Sequence, residues 1–224
     1  MGAPFVLDHV FVFARPGGPE ATALAALELT DGGGKTHLGQ GTANRCFFFQ
    51  NAFLELIWVH DEQEARSAAI ATTGLWERSQ YRQTGACPFG ICLRAAGPEN
   101  SAPPFETWGY RPPYVPTGSE IPVAVAASFA EPLLFLQRPR TSEGPAAAPA
   151  RESENHANGI RAIRKMHITL TDGATLTPAV REVERLGIVT FTQGPEPLME
   201  LVFDEATQGR TADLRPDLPL LLRW

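Results

Sequence analysis

Glu55 stands in the middle of an apolar run, Leu54-Glu55-Leu56-Ile57-Trp58-Val59. A carboxylate in such a run is costly to bury unless it is hydrogen-bonded, paired or bound to a cation. A second apolar run, Phe5-Val6-Leu7-Asp8-His9-Val10-Phe11-Val12-Phe13, carries His9. If the two runs are neighbouring strands, about 4.8 Å apart, imidazole and carboxylate can both reach one ion through bonds near 2.1 Å. The chemistry expected of them is ligation of one divalent metal, Zn, Ni, Co, Mn or Fe, in a concave site. A buried His–Glu hydrogen bond without metal satisfies the same two residues.

The elements that must position this pair follow from periodicity. Residues 5–13 alternate with period 2, placing Leu7, His9, Phe11 and Phe13 on one face and Val6, Val10 and Val12 on the other. Pro19 opens a predicted helix over Glu20–Leu29, with an acidic first turn, stopped by Asp31-Gly32-Gly33-Gly34. Arg45–Phe49 and Phe53–Val59 read as strands joined by a tight connection at Gln50-Asn51-Ala52. In the second of these, Phe53, Glu55, Ile57 and Val59 share a face. The helix is expected to cover the uniformly apolar face, leaving His9 and Glu55 on the uncovered one.

Further strands are expected at Phe89–Arg94, Trp108–Tyr110, Ile121–Ala126 and Leu133–Gln137, separated by proline-rich stretches. They read as a degenerate second copy, so residues 1–138 hold a first βαβββ module and an eroded second one. Residues 139–159 are Pro/Ala-rich, without periodicity, and read as a linker or loop. Residues 160–224 repeat strand, helix and strands as a third module, packing on or pairing with the first. In it His167 and Glu200 again occupy the face that the Thr177-capped helix does not cover.

Arg45 offers a fork for a substrate carboxylate, with a surface ion pair as the plainer reading. Phe47 and Phe49 alternate with Phe48, so at least one of these faces the bowl, and Phe47 and Phe49 are expected to line an apolar substrate pocket. Trp108, Tyr110, Arg111 and Tyr114 are placed to form a lid. His37, His60 and His156 sit in turns, at a strand end or in the linker and are expected to face solvent.

Charge and composition narrow the field of partners. A net charge of -6 argues against nucleic acid, whose phosphates demand a basic surface. The three cysteines are an odd set without CxxC spacing, so neither a disulfide framework nor a metal knuckle is expected. No apolar run nears the roughly 18 residues of a membrane span, and no leader-like segment precedes the first strand. A cytoplasmic protein with a small-molecule substrate or ligand is expected, with a homodimer closed by the third module as a further possibility.

The opening Leu7-Asp8-His9-Val10, the stretch Gly39-Gln40-Gly41-Thr42-Ala43-Asn44-Arg45-Cys46-Phe47-Phe48-Phe49 and the following Phe53-Leu54-Glu55-Leu56 resemble the vicinal oxygen chelate superfamily. This superfamily includes glyoxalase I, extradiol dioxygenases and bleomycin-resistance proteins. The likeness is to its glyoxalase-like domain proteins, and it is closest over residues 5–60. It implies an α+β fold of repeated βαβββ modules forming a cupped, bowl-like mixed sheet with helices on the outer face. It implies metal ligands on the first and last strands of a module: His9 and Glu55, with His167 as a further match and Glu55 doubling as catalytic base. The middle segment departs from the pattern, with Gly90-Ile91 and Leu134-Phe135 where ligands belong. The implied function is a metal-dependent isomerase, lyase or dioxygenase. The alternative is a metal-free binding protein of the bleomycin-resistance type.

Overall fold

The computed structural model describes residues 4–97, 102–137 and 154–224. Phe5–Phe13 forms β1, Glu20–Ala26 forms α1, Thr36–His37 forms β2, Thr42–Phe48 forms β3 and Phe53–Val59 forms β4. Three short helices follow, α2 (Glu62–Ala65), α3 (Leu75–Ser79) and α4 (Tyr81–Thr84). The next strands are β5 (Phe89–Ala95), β6 (Thr107–Tyr110), β7 (Ile121–Ala124) and β8 (Leu133–Leu136). The last segment contains β9 (Ile163–Thr171), α5 (Pro178–Arg185), β10 (Thr190–Gly194), β11 (Leu198–Phe203), β12 (Thr211–Asp213) and β13 (Leu220–Arg223).

The first eight strands make one curled half-barrel in the order β2-β3-β4-β1-β5-β8-β7-β6. β1 runs parallel to β4 and antiparallel to β5, and β5 runs parallel to β8. The first module therefore pairs with the middle segment. That segment has no helix between β5 and β6 among its described residues.

Val10, Val12, Leu54 and Leu56 are fully buried on the outer face with Leu24 of α1. Burying each such side chain contributes about 1.5–3 kcal/mol, which fixes which face turns outward. The middle segment's Ile91, Leu93, Leu134 and Leu136 enter the same core, together with Met166, Ile168, Val180, Val183 and Leu201. The last segment thus shares the outer-face core with a module that shows no helix of its own among the described residues.

The last segment forms a separate five-stranded sheet in the order β10-β9-β11-β13-β12. It repeats the strand–helix opening but not the strand order: β10 lies parallel beside β9, whereas β1 has the last strand of its module, β4, beside it. Polar ties help to hold the sheets together, two of them at Asn51 and Glu131. Asn51 exchanges two hydrogen bonds with the Ile163 backbone, at 2.7 and 3.0 Å. The buried Glu131 carboxylate accepts from the Thr177 backbone N–H at the start of α5.

Several expected boundaries move, for physical reasons. α1 stops at Ala26, and Gly32–Gly34 are more than a helix stop. They run flat along β3, where a Cβ on Gly34 would lie 1.8 Å from the Asn44 carbonyl oxygen. The ambiguous stretch after Trp76 is two helical turns organised by Arg78, which is fully buried and donates to the carbonyls of Cys87 and Glu131 at 2.9 and 2.6 Å. Most of the predicted linker lies outside the described residues. Its end is packed rather than loose, for His156 is buried, accepting from Thr30 N–H through Nδ1 and donating from Nε2 to the Phe48 carbonyl.

Candidate functional site

The inner face of the half-barrel encloses a cavity of about 490 Å³, within the range of small-molecule sites. His9 and Glu55 both line it. They are diagonal neighbours on parallel strands, since His9 lies beside Phe53 and Phe11 beside Glu55. His9 Nε2 lies 3.8 Å from Glu55 Oε2.

The other polar atom of each residue is occupied. Asn44 Nδ2 donates to Glu55 Oε1 at 2.6 Å, and Asn44 Oδ1 accepts from Lys35 N–H at 2.8 Å. His9 Nδ1 donates to Asp8 Oδ1 at 2.7 Å, and Asp8 Oδ2 lies 3.8 Å from Arg94 Nε. The His9 ring stacks on Phe53 with centroids 4.2 Å apart and meets Phe135 edge-on at 5.4 Å. An imidazole held at Nδ1 by a carboxylate keeps its Nε2 lone pair for a ligand, the arrangement usual for metal-binding histidines. Nε2 and Oε2, 3.8 Å apart, are thus the two atoms left for a shared ligand.

Asp8 reaches this site through a β-bulge. Leu7 pairs with Leu93 and His9 with Cys92, so Asp8 is an extra residue on its strand. The bulge switches the alternation: Phe5 and Leu7 pack in the outer core with Val10 and Val12, while Asp8, His9 and Phe11 line the cavity. Leu7 is therefore not on the face of His9, as strict alternation predicts.

Asp8, His9 and Cys92 also form a possible ligand cluster, their donor atoms lying within 4.8 Å of one another. Cys92 is fully buried, and burial raises its thiol well above the ordinary range, the Asp8 and Glu55 charges adding to the effect. His9 Nδ1 is already engaged by Asp8, itself a member of this cluster. The Nε2 side, open to the cavity, is the better-prepared one.

Arg45, Phe47 and Phe49 turn away from the cavity. The connection between β3 and β4 spans Phe49–Ala52, closed by the Phe49 N–H to Ala52 carbonyl bond of 2.8 Å, and Phe48 pairs with Phe53. A connection one residue shorter would have set Phe47 opposite Glu55; the observed register puts Cys46 there. A one-residue slip exchanges every side chain between faces. Phe47 and Phe49 are consequently in the outer core, and Asn44, Cys46 and Phe48 line the cavity. Arg45 makes a surface ion pair with Asp31 at 2.7 Å.

His167 belongs to the five-stranded sheet and does not line the cavity. Its Nδ1 and Nε2 lie 2.8 and 2.9 Å from the Thr190 and Thr192 hydroxyls. Glu200, directly opposite His167, accepts from Arg223 Nε at 2.7 Å. Of the aromatic lid residues, Tyr110 and Tyr114 line the cavity; Trp108 packs edge-on against Tyr110 outside the lining.

The lid residues join the two ends of the half-barrel, because Tyr110 stands on β6, one edge, and Gln40 follows β2, the other. Tyr110 and Tyr114 hydroxyls donate to Gln40 Oε1 at 2.9 and 3.0 Å. The turn bearing Gln40 is fixed by Glu64 Oε2, which accepts from Gly39 and Gly41 N–H. Burial raises both phenols above their ordinary value. His37, expected in solvent, is buried in the cavity wall, where desolvation lowers its pKa; Glu55 opposes that shift, while Lys35 and His9 add to it.

Asp8, Asn44, Gln40 and His37 were missed by sequence reasoning. For Asn44 a signal existed: counting a four-residue hairpin connection places it one diagonal step from Glu55. For Asp8 no pattern marks the bulge.

The pairing of β1 with β5 relates the two halves of the bowl, and the residues of the second half make the site one-sided. His9 faces Cys92 and Phe11 faces Gly90, so exchanging the two antiparallel strands about the Val10–Ile91 pair sets His9 on Gly90 and Phe11 on Cys92. Phe135 beside Cys92 is then the counterpart of Glu55 beside Phe11. A Cβ on Gly90 would lie 2.0 Å from Phe11 Cε1, so the Phe11 ring fills the space of a second-module ligand.

Comparison with known proteins agrees with this architecture. A hypothetical protein from Staphylococcus aureus shares the fold, with TM-score 0.53 and 10% identity over 98% of each chain. A hypothetical protein from Bacillus halodurans aligns over 61% of this chain and 97% of its own, at 13% identity and TM-score 0.39. No curated protein matches the chain. Residues 7–196, most of the sequence, match the family described as Glyoxalase-like domain, and the chain belongs to that family, within the vicinal oxygen chelate superfamily.

Proposed function

We propose that the cavity is the active site of a small-molecule enzyme and that His9 Nε2 and Glu55 Oε2 hold one divalent ion in it. The observation that carries this reading is the 3.8 Å approach of those two atoms with their outer partners already assigned to Asp8 and Asn44. Two bonds near 2.1 Å can span that separation, so the donor set fits an ion with its remaining positions left to substrate. When bound, such an ion supplies a Lewis acid for ligand oxygens.

The chain's own residues supply the rest. Asp8 sets the tautomer and orientation of His9. Asn44 holds one oxygen of Glu55 and leaves Oε2 either to the ion or, once displaced from it, to accept a proton from a ligand in the cavity. Phe11, Phe48, Phe53 and Phe135 wall the cavity, and the Gln40–tyrosine contacts limit the entry of water. Isomerase, lyase and dioxygenase chemistry all begin from this arrangement, and the fold does not choose among them.

A second reading rests on the one-sided ligand set. With Gly90 and Phe135 where further donors would stand, a metal-free protein that sequesters a small molecule is the alternative. Metal analysis of the purified protein, followed by calorimetric titration with Zn²⁺, Ni²⁺ and Mn²⁺, separates the two. About one equivalent, abolished by His9→Ala, is expected. Absence of metal together with no uptake of added ions would overturn the metal-dependent reading.

A further inference from the structure

His37, on β2, is buried in the cavity wall but takes no part in the His9–Glu55 arrangement. Its Nδ1 lies 2.9 Å from Thr42 Oγ1, and its Nε2 has no hydrogen-bond partner among the described residues. The groups behind it form a continuous hydrogen-bonded chain. Gln40 Oε1 accepts from both phenols, so Gln40 Nε2 is the atom that donates to Thr42 Oγ1, at 2.6 Å. A threonine hydroxyl has a single proton to give. Having accepted from the amide, Thr42 keeps that proton for His37 Nδ1, the other partner of its hydroxyl among the described residues. An imidazole that accepts at Nδ1 carries its proton on Nε2 when neutral. Burial favours the neutral ring.

We propose that His37 is a ligand-binding residue whose Nε2–H donates to an oxygen acceptor, a carbonyl or oxyanion, of the molecule in the cavity. The Tyr110/Tyr114–Gln40–Thr42 chain holds it in that tautomer. A fixed neutral donor stabilises negative charge on oxygen without reorganising as the charge develops. This assignment rests on the cavity being a small-molecule site and is independent of any metal. Because Tyr110 and Gln40 come from opposite edges of the half-barrel, closure of the sheet and polarity of His37 are set by the same side chains.

The test uses the full chain labelled with ¹⁵N-histidine, its five histidines assigned by substitution, and 4-nitrophenolate as the probe. At pH 7 the His37 shifts are expected to report the Nε2–H tautomer. Thr42→Val, of nearly the same shape, should produce a mixture of tautomers while circular dichroism is unchanged. The probe should move the His37 Nε2 resonance and lose about tenfold in affinity in His37→Phe, the scale of one hydrogen bond to a charged group. His37→Gln, which keeps an N–H donor, should recover part of that loss. An Nδ1–H tautomer in the wild type would overturn the proposal even if His37→Phe fails to fold. So would a bound probe that leaves His37 unmoved. A wild-type chain with the expected tautomer that binds no probe would instead count against the cavity as a small-molecule site, taking this proposal with it.

Discussion

The two sheets each set a histidine against a glutamate on a neighbouring strand. In the half-barrel the pair is His9 and Glu55, and in the five-stranded sheet it is His167 and Glu200. The residue types are the same, and so is the placement on the face away from the apolar core. The surroundings differ. His167 spends both ring nitrogens on Thr190 and Thr192, and Glu200 is engaged by Arg223 at an open sheet face. Around His9 and Glu55 the partners take only the outer atoms, and curvature closes a cavity over the inner ones. A His–Glu pair becomes a site when its neighbours satisfy half of its polar atoms and the fold shields the rest from water.

The largest expected effect tests that contrast directly. His9→Ala or Glu55→Gln should weaken divalent metal uptake by more than the about 10–100-fold that loss of an outer hydrogen-bond partner costs. His167→Ala should leave uptake unchanged in the same calorimetric titration. Equal losses from both histidines would erase the distinction between the sheets. Asp8→Asn should fall between, with a loss of about 10–100-fold, while Cys92→Ser should bind normally. A loss in Cys92→Ser would move the ion to the Asp8–Cys92 side of the imidazole.

Gly90→Ala sharpens the contrast between the two halves of the bowl. The new methyl meets the Phe11 ring edge, and overpacking of this kind costs about 1–3 kcal/mol, measured by urea unfolding. Phe11→Ala should relieve the clash, so the double variant should lose less than the sum of the singles.

A smaller effect concerns the tie formed by His156. Burial holds its imidazole below the ordinary value, against the opposing hydrogen bond to the Phe48 carbonyl. The unfolded chain therefore binds this proton at higher pH than the folded one. Its stability contribution is complete above about pH 6.5 and declines as pH falls below that. Thermal melts between pH 7 and 5 should show the decline, and His156→Gln should flatten part of it. Buried His37 adds a slope of the same sign, so the flattening is partial. At the small end, Glu200→Gln should change stability by about 0–1 kcal/mol, as expected for an exposed ion pair.

Much of the half-barrel was legible because its strands obey simple alternation. Val10, Val12, Leu54 and Leu56 mark the outer face, and Glu55 stands out as the carboxylate among them. Phe47 and Phe49 were misplaced because strand register depends on the length of a connection whose four residues carry no strong turn signature. Asp8 was not read as a partner of His9 because a bulge has no periodic trace. His37 and His156 looked solvent-facing because local polarity does not reveal what packs on a loop from 70 or more residues away, as Tyr114 does on His37 and the 154–160 segment on Thr30.

The sequence by itself determined which residues avoid water, and hence the helix-covered face and the isolation of His9 and Glu55 on the other. Those are local consequences of hydrophobic spacing. Only the tertiary structure decided that β1 pairs with β4 and β5, that a bulge delivers Asp8 to His9, and that His167 stands in another sheet. It also decided that the two sheet edges meet through Gln40 and Tyr110. Such choices depend on register, strand order and long-range hydrogen bonds, in which residues far apart in the chain compete for the same partners.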